Sequence, residues 1–221
     1  MGARLLIALA LLPLGWLVVQ IGRELLLPGS ALGTDPAEAL VQAFGHWALR
    51  LLLLTLTLSA VARLMHRPQW IRPRRALGLI AFTYLALHVL AYLLLLSGLQ
   101  WQAVAAALWD DLLHRPYISV GAPALLILSL LAVTSTNGWQ HRLGRRWKQL
   151  HLLVWPAAML AWLHLAWQAG ASHLDAWLYG GWLFILLTER LGRAVQRRWR
   201  QRAREQARIS AQNSARNRAS S

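Results

Sequence analysis

The chain alternates between long apolar runs and short stretches rich in arginine, proline and glycine. Six runs reach or approach the length of about 20 apolar residues that a transmembrane helix needs. We therefore predict an all-α integral membrane protein, a six-helix transmembrane bundle. The predicted spans are residues 5–21, 46–64, 76–96, 117–133, 150–169 and 176–188.

Loops are predicted over 140–148 and 170–175, before and after the fifth span, and two other connections have distinct characters. The turn-rich residues 27–45 predict a loop on the outer side, with a helix start at Asp35 and Pro36. The stretch between Gly98 and Pro116 is too short and too polar at its end to span, and it carries tryptophans suited to an interface. It predicts a short helix on the outer surface, between spans three and four.

The placement of charge predicts the orientation in the membrane. The chain has 23 Lys and Arg against 8 Asp and Glu, and the basic residues concentrate in 65–75, 140–148 and the end of the chain. Since Lys and Arg gather in cytoplasmic loops, we predict a multi-pass protein of a bacterial inner membrane with both termini cytoplasmic.

Charge also suggests how the chain is divided and what it contacts. We predict a transmembrane domain over 1–189 and a basic cytoplasmic tail over 190–221, helical near its start and frayed at its end. The net charge of +15 is explained by this topology and by contact with membrane lipid, so no nucleic-acid partner is expected.

Composition narrows the chemistry that the chain can perform. The sequence is 57% hydrophobic and only 14% charged, which agrees with a membrane protein. It contains no cysteine, and this excludes disulfides, thiolate-ligated haem and cysteine-ligated iron–sulfur clusters. Histidine is therefore the expected metal ligand.

Three histidines, His88, His151 and His164, stand inside apolar runs. An ionisable group within a membrane segment is a functional hypothesis by default, although each ring could simply bond to a neighbouring hydroxyl or carbonyl. Counted at about 1.5 Å per residue from the basic loops, His88 and His164 lie about 20 and 24 Å deep, and His151 about 5 Å. The matching depth predicts that His88 and His164 ligate one haem iron from both sides. The domain over 1–189 is then a haem domain, with haem bound between helices.

His151 presents a separate question. On a straight helix it would point about 140° away from His164, although Pro156 lies between them and can bend the helix. A second haem at His151 would need a ligand at the level of Arg74 or Arg75. We predict that these arginines bind haem propionates, a quinone head group or lipid phosphate, with purely topogenic charge as the alternative.

Several stretches resemble the MsrQ family across nearly the whole chain. They are IRPRRALGL before the His88 span, RPYISVG at the start of span four, and TSTNGWQHRLGRRWKQLH leading into His151. This family provides the haem-binding membrane subunit of the MsrPQ methionine sulfoxide reductase system and belongs to the ferric-reductase-like transmembrane group. The resemblance implies a protein with one b-type haem, or two, and His88, His151 and His164 as haem ligands.

The resemblance also implies an electron donor and an acceptor. Electrons would come from the quinone pool, directly or through FMN, and pass to a periplasmic molybdenum-containing partner that reduces methionine sulfoxide in oxidised proteins. On this hypothesis the chain is a redox subunit and the partner performs the substrate catalysis. The alternatives are a stand-alone membrane ferric or oxygen reductase and, outside redox chemistry, a transporter or scaffold.

The chain departs from the wider group in two respects. Relatives such as NADPH oxidases use four histidines in two pairs and a cytoplasmic flavin and nicotinamide module. This chain lacks the fourth histidine, and no glycine-rich dinucleotide loop follows Thr188. We therefore expect that it does not oxidise NADPH itself.

Overall fold

The computed structural model describes residues 2–96, 101–168 and 173–219, and within these the regular structure is helical. A 3₁₀ turn at Pro68–Ile71 precedes α3, a π-helical turn at Tyr92–Leu96 continues it, and a 3₁₀ turn at His151–Leu153 precedes α8. The α-helices are α1 (Gly2–Leu26), α2 (Pro36–Leu64), α3 (Arg74–Ala91), α4 (Trp101–His114), α5 (Pro116–Val133), α6 (Asn137–Leu143), α7 (Arg145–Leu150), α8 (Val154–Trp167) and α9 (His173–Ala219).

Five helical segments of the described chain are long and apolar enough to cross a membrane. They correspond to the first five predicted spans, so the prediction of an all-helical membrane protein is confirmed. The sixth predicted span, 176–188, lies within α9, which is not one of these five, and it stays a prediction. The five segments are Arg4–Leu26, Pro36–Leu64, Pro68–Leu95, Pro116–Val133 and Arg145–Trp167.

The second span begins earlier than the sequence predicts. The helix start predicted at Asp35 and Pro36 is confirmed, but the helix continues from there as α2, so the prediction of a loop over the rest of 27–45 and of a span from residue 46 is wrong. The Asp35 carboxylate caps the helix by accepting a hydrogen bond from the Glu38 amide at 2.9 Å, and Pro36 suits the first turn. The added turns bury Leu40, Val41 and Phe44, so packing extends the helix towards its cap.

The helices that carry the two deep histidines are each paired with another span. α3 packs mainly on α2, and α8 packs mainly on α5; α2 also contacts α8, and α3 contacts α5. Leu53, Leu56 and Leu77 are buried in this core. α1 is joined to it by the buried Tyr84 hydroxyl, which donates to the Ala10 carbonyl at 3.1 Å.

The fifth predicted span is not one straight helix. α7 ends at Leu150, the 3₁₀ turn His151–Leu153 follows, and α8 begins at Val154. Pro156 lies in the first turn of α8, where its missing N–H and fixed φ are tolerated, and it cannot donate to the Leu152 carbonyl. His151 and His164 therefore belong to two separate elements.

The predicted loop over 140–148 also contains regular structure. α6 and α7 occupy it, and Gly144 separates them with a φ of +49°. Such a positive φ favours glycine, which lacks the Cβ that would clash there. The end of the fifth predicted span at residue 169 lies outside the described residues.

α9 continues without interruption from His173 to Ala219, about 70 Å at 1.5 Å per residue. The predicted loop over 170–175 is therefore wrong for 173–175, while 170–172 lie outside the described residues. The helix also extends through the tail segment predicted to fray. The chain divides into two compact units, one ending at Leu183 and one beginning at Phe184, and the predicted division at residue 189 stays a prediction.

In the first unit the beginning of α9 is bonded to two spans. Trp162 Nε1 of α8 donates to the Ala176 carbonyl at 2.9 Å, and Trp182 Nε1 of α9 donates to the Thr57 hydroxyl of α2 at 2.9 Å. In the second unit, Arg193 pairs with Glu189 one turn earlier at 2.5 Å.

Candidate functional site

The imidazole rings of His88 and His164 lie side by side within the bundle. Their centres are 6.2 Å apart and their planes are inclined by 85°. His88 comes from the last turn of α3 and His164 from the last turn of α8. The two histidines that the sequence placed at one depth are thus brought together by their helices.

His88 is oriented by α2. Its Nδ1 lies 2.8 Å from the Val41 carbonyl, which can only accept, so Nδ1 carries the hydrogen and the lone pair of Nε2 is left for another partner. Gly45, one turn further along α2, lies directly against the ring. A Cβ at Gly45 would stand 3.0 Å from Nδ1, closer than a side chain tolerates without displacement.

His164 is oriented by α5 in the same way. Its Nδ1 lies 2.6 Å from the Tyr117 carbonyl, and the Tyr117 ring lies 5.9 Å from the imidazole. Gly121 stands one turn after that carbonyl, and a Cβ there would come within 2.7 Å of Nδ1. The two arrangements have the same spacing. The residue that provides the carbonyl, Val41 or Tyr117, precedes the glycine by four residues and the histidine by 47.

These residues fit a haem. A metal–imidazole bond of about 2 Å, and a ring nitrogen about 1.1 Å from the ring centre, place two rings on one metal about 6 Å apart. The observed 6.2 Å agrees with that distance. The described residues form no group of three or more His, Cys, Asp or Glu side chains that could hold a metal, whereas haem iron needs only two ligands from the protein.

His151 lies apart from this pair. Its ring stacks on Trp147 with centres 4.0 Å apart, and its Nδ1 lies 3.2 Å from the Trp147 carbonyl. The Ser135 hydroxyl is 3.4 Å from Nε2 but only 2.7 Å from the Leu131 carbonyl, so its hydrogen is better placed for the carbonyl. Within the described part of the chain, the Ser135 hydroxyl therefore offers Nε2 of His151 at most a weak hydrogen bond.

The two arginines singled out by the sequence lie at the start of α3. Arg74 is the first residue of α3 and lies close enough to His151 for its charge to reach the ring. Arg75 donates to the Asn137 side chain at 2.5 Å and so ties α3 to α6. Arg75 precedes His88 by 13 residues, the same spacing by which His151 precedes His164. The predicted binding of propionate, quinone or phosphate at these arginines stays a prediction.

Sequence reasoning missed the groups that orient the imidazoles. Val41 and Gly45 were assigned to a loop, and Gly121 was not singled out. An isolated glycine within an apolar helix costs about 1 kcal/mol relative to alanine and indicates close packing, so Gly45 and Gly121 carried a usable signal.

Comparison with known proteins points to one family. Residues 44–162 match the family described as "Ferric reductase like transmembrane component". Of the three membrane histidines, this segment contains His88 and His151, and His164 lies two residues beyond its end.

Curated relatives match over most of the chain. A protein from Xanthomonas axonopodis pv. citri described as "Protein-methionine-sulfoxide reductase heme-binding subunit MsrQ" is 41% identical over 186 residues, which cover 84% of this chain and 82% of the relative. Proteins with the same description from Xanthomonas oryzae pv. oryzae and Caulobacter vibrioides are each 40% identical, over 84% and 72% of this chain and 82% and 75% of their own lengths.

Proposed function

The chain belongs to the MsrQ family of haem-binding subunits, within the ferric-reductase-like transmembrane group, and from this premise we propose that it is a membrane b-type haem electron-transfer subunit. It passes electrons from the quinone pool, directly or through a bound FMN, to a periplasmic molybdenum-containing methionine sulfoxide reductase. That partner repairs oxidised proteins, and this chain performs no substrate catalysis itself.

The proposal rests chiefly on the geometry of His88 and His164. Two neutral imidazoles 6.2 Å apart, each with Nδ1 directed to a carbonyl, leave both Nε2 lone pairs for one iron. When bound, haem supplies a one-electron carrier that suits transfer between a two-electron donor and a distant acceptor. The carbonyls of Val41 and Tyr117 fix the tautomer and the orientation of the ligands, a supporting role common in metal sites.

The direction of transfer follows from depth and charge. His88 and His164 lie about 20 Å or more from the basic loops, at 1.5 Å per residue, so their haem lies towards the side opposite those loops. Since basic loops are cytoplasmic, an electron held there serves a periplasmic acceptor. We propose the bacterial inner membrane as the location, with both termini cytoplasmic.

His151 lies at a different depth from His88 and His164, closer to the basic loops. Its Nε2, the nearby charge of Arg74 and the stacked Trp147 form a group on the side of the basic loops, where electrons would enter. We propose that His151 ligates a second haem or contacts the electron donor. Arg74 and Arg75 would there bind an anionic group of the cofactor or a lipid phosphate.

Reconstitution tests the proposed function. The full chain, reduced with a quinol in lipid nanodiscs, is mixed with a periplasmic fraction and an oxidised methionine-containing protein, and haem reoxidation is followed by absorption without oxygen. We expect rapid reoxidation only when both additions are present. Equal rates with ferric citrate alone would indicate a stand-alone ferric reductase, and a preparation without haem absorption would overturn the proposal.

A further inference from the structure

A hydrogen-bonded network joins the ends of α3, α4 and α5 next to the histidine pair. At its centre, the Asp111 carboxylate of α4 accepts a hydrogen bond from the Tyr92 hydroxyl. Its other oxygen pairs with Arg115 Nε at 2.8 Å, and Arg115 Nη1 donates to the Tyr117 hydroxyl at 3.3 Å. The Asp111 side chain is only 16% exposed, whereas that of Arg115 is 52% exposed, so the network runs from a largely buried carboxylate to the surface of the protein.

Each end of this network reaches one of the two imidazoles. Tyr92 follows His88 by four residues and begins the π-helical turn that continues α3. Tyr117, at the other end, provides the carbonyl bonded to His164 and places its ring 5.9 Å from that imidazole. Asp111 is thus connected to the surroundings of His88 through Tyr92, and to those of His164 through Arg115 and Tyr117.

The hydrogen bonds to the Asp111 carboxylate fix the positions of the residues that donate them. A carboxylate that accepts from a guanidinium and a phenol makes charge-assisted hydrogen bonds, which are stronger and more directional than neutral ones. The link to α5 is reinforced by the Ser119 hydroxyl, which lies 2.5 Å from the Leu112 carbonyl, and by the Arg115 amide, which donates to the Asp111 carbonyl at 2.9 Å. π-helical turns such as that at Tyr92 are frequent at functional sites.

We propose that Asp111 is a positioning residue for both haem ligands. Through Tyr92 it holds the end of α3 and so the placement of His88. Through Arg115 it holds the phenol of Tyr117, the residue whose carbonyl orients His164. This inference rests on the proposed function, because it assigns Asp111 a role towards the haem between His88 and His164. A residue that merely joins helices would affect stability and leave the iron's ligand geometry unchanged.

The test compares Asp111→Ala and Asp111→Asn with Asp110→Ala in the full-length protein loaded with haem. Asp110 is adjacent, 71% exposed and paired with His114, so its substitution controls for the loss of a carboxylate on α4. The readouts are the ferric electron paramagnetic resonance (EPR) spectrum, which reports the orientation of the axial ligands, and the haem midpoint potential.

We expect Asp111→Ala to shift the low-spin ferric signal and the midpoint potential and to convert part of the haem to a high-spin form. Asp111→Asn should cause a smaller shift, and Asp110→Ala none. Wild-type spectra and potential in Asp111→Ala would overturn the inference, as would an equal change in Asp110→Ala. If Asp111→Ala does not accumulate, Asp111→Asn and Tyr92→Phe decide the question by the same readouts.

Failure of this inference can be distinguished from failure of the proposed function. If His88→Ala and His164→Ala lose haem while the Asp111 variants keep wild-type spectra, only the role of Asp111 is wrong. If the histidine variants retain all their haem, the haem site itself is wrong.

Discussion

His88 and His164 present their rings almost at right angles, with planes inclined by 85° and centres 6.2 Å apart. Each orientation is fixed by its own carbonyl, so the angle should persist when iron binds. Perpendicular axial rings leave two iron d orbitals close in energy, and we predict a strongly anisotropic low-spin ferric EPR signal. The rhombic signal of parallel rings would contradict this arrangement.

Removal of either ring should remove most of the haem. In His88→Ala or His164→Ala the iron keeps one protein ligand, and the carbonyl of Val41 or Tyr117 loses its donor. We expect haem content to fall severalfold in each variant, measured by pyridine haemochrome assay on purified protein. His141→Ala, in an exposed position of α6, should retain the wild-type content; an equal loss there would indicate a general folding defect.

The glycines against the rings should be intolerant of a single methyl group. Gly45→Ala and Gly121→Ala bring a Cβ to 3.0 and 2.7 Å from the Nδ1 atoms, so the imidazoles must shift. Since supporting groups of metal ligands typically contribute about 10–100-fold to affinity, we expect haem affinity to fall by about tenfold or more, with Gly121→Ala the more severe.

Gly78→Ala provides the matched control for these two variants. A Cβ at Gly78, on α3, would meet only Thr55 Cγ2 at an ordinary 3.8 Å. Alanine should there leave haem binding unchanged and stabilise the helix by up to about 1 kcal/mol. Haem titration followed by absorption separates the cases, and tight binding by Gly121→Ala would show that the ring has room to move.

Substitution of His151 should leave the deep pair intact. Its ring is engaged with Trp147 and Ser135, not with His88 or His164. We predict that His151→Ala preserves the anisotropic EPR signal while it removes a separate haem fraction or shifts the absorption spectrum. Loss of the anisotropic signal itself would mean that His151 contributes to the deep site.

The predicted orientation can be tested by labelling, because the chain has no native cysteine. Asp110→Cys on α4 and Ser210→Cys on α9 each introduce one exposed thiol. A maleimide that cannot cross the inner membrane should label the first in intact cells and the second only after permeabilisation. Labelling of Ser210→Cys in intact cells would place the tail outside and overturn the prediction of two cytoplasmic termini.

The proximity of His88 and His164 could be predicted because the depth of each residue in the membrane follows from its position along one helix. A helix advances about 1.5 Å per residue, and basic loops fix its ends at the membrane surface, so counting residues gives the level of each ring. The same reasoning set His151 apart, at another level. The apolar runs likewise predicted the five spans of membrane length, although α2 continues from the predicted start at Pro36 through residues assigned to a loop.

The partners of the imidazoles could not be predicted, because they depend on which helix faces lie together. α5 is apolar on nearly all sides, so its sequence has no periodicity to show that Tyr117 and Gly121 face His164. Val41 was hidden by the turn-rich sequence before it, where the cap at Asp35 starts the helix early. The break at His151 likewise depends on the stacking of Trp147 as well as on Pro156.

The repeated spacing of 47 residues between each carbonyl and its histidine has a consequence for biogenesis. Because α2 and α3 are neighbours in the chain, the first imidazole gains its acceptor while the ribosome is still translating α5. The second half forms only after α8 has entered the bilayer. Capture of a haem between His88 and His164 should therefore wait for the synthesis of α8, and a polypeptide truncated before His164 would leave the translocon with only one ligand of this pair prepared.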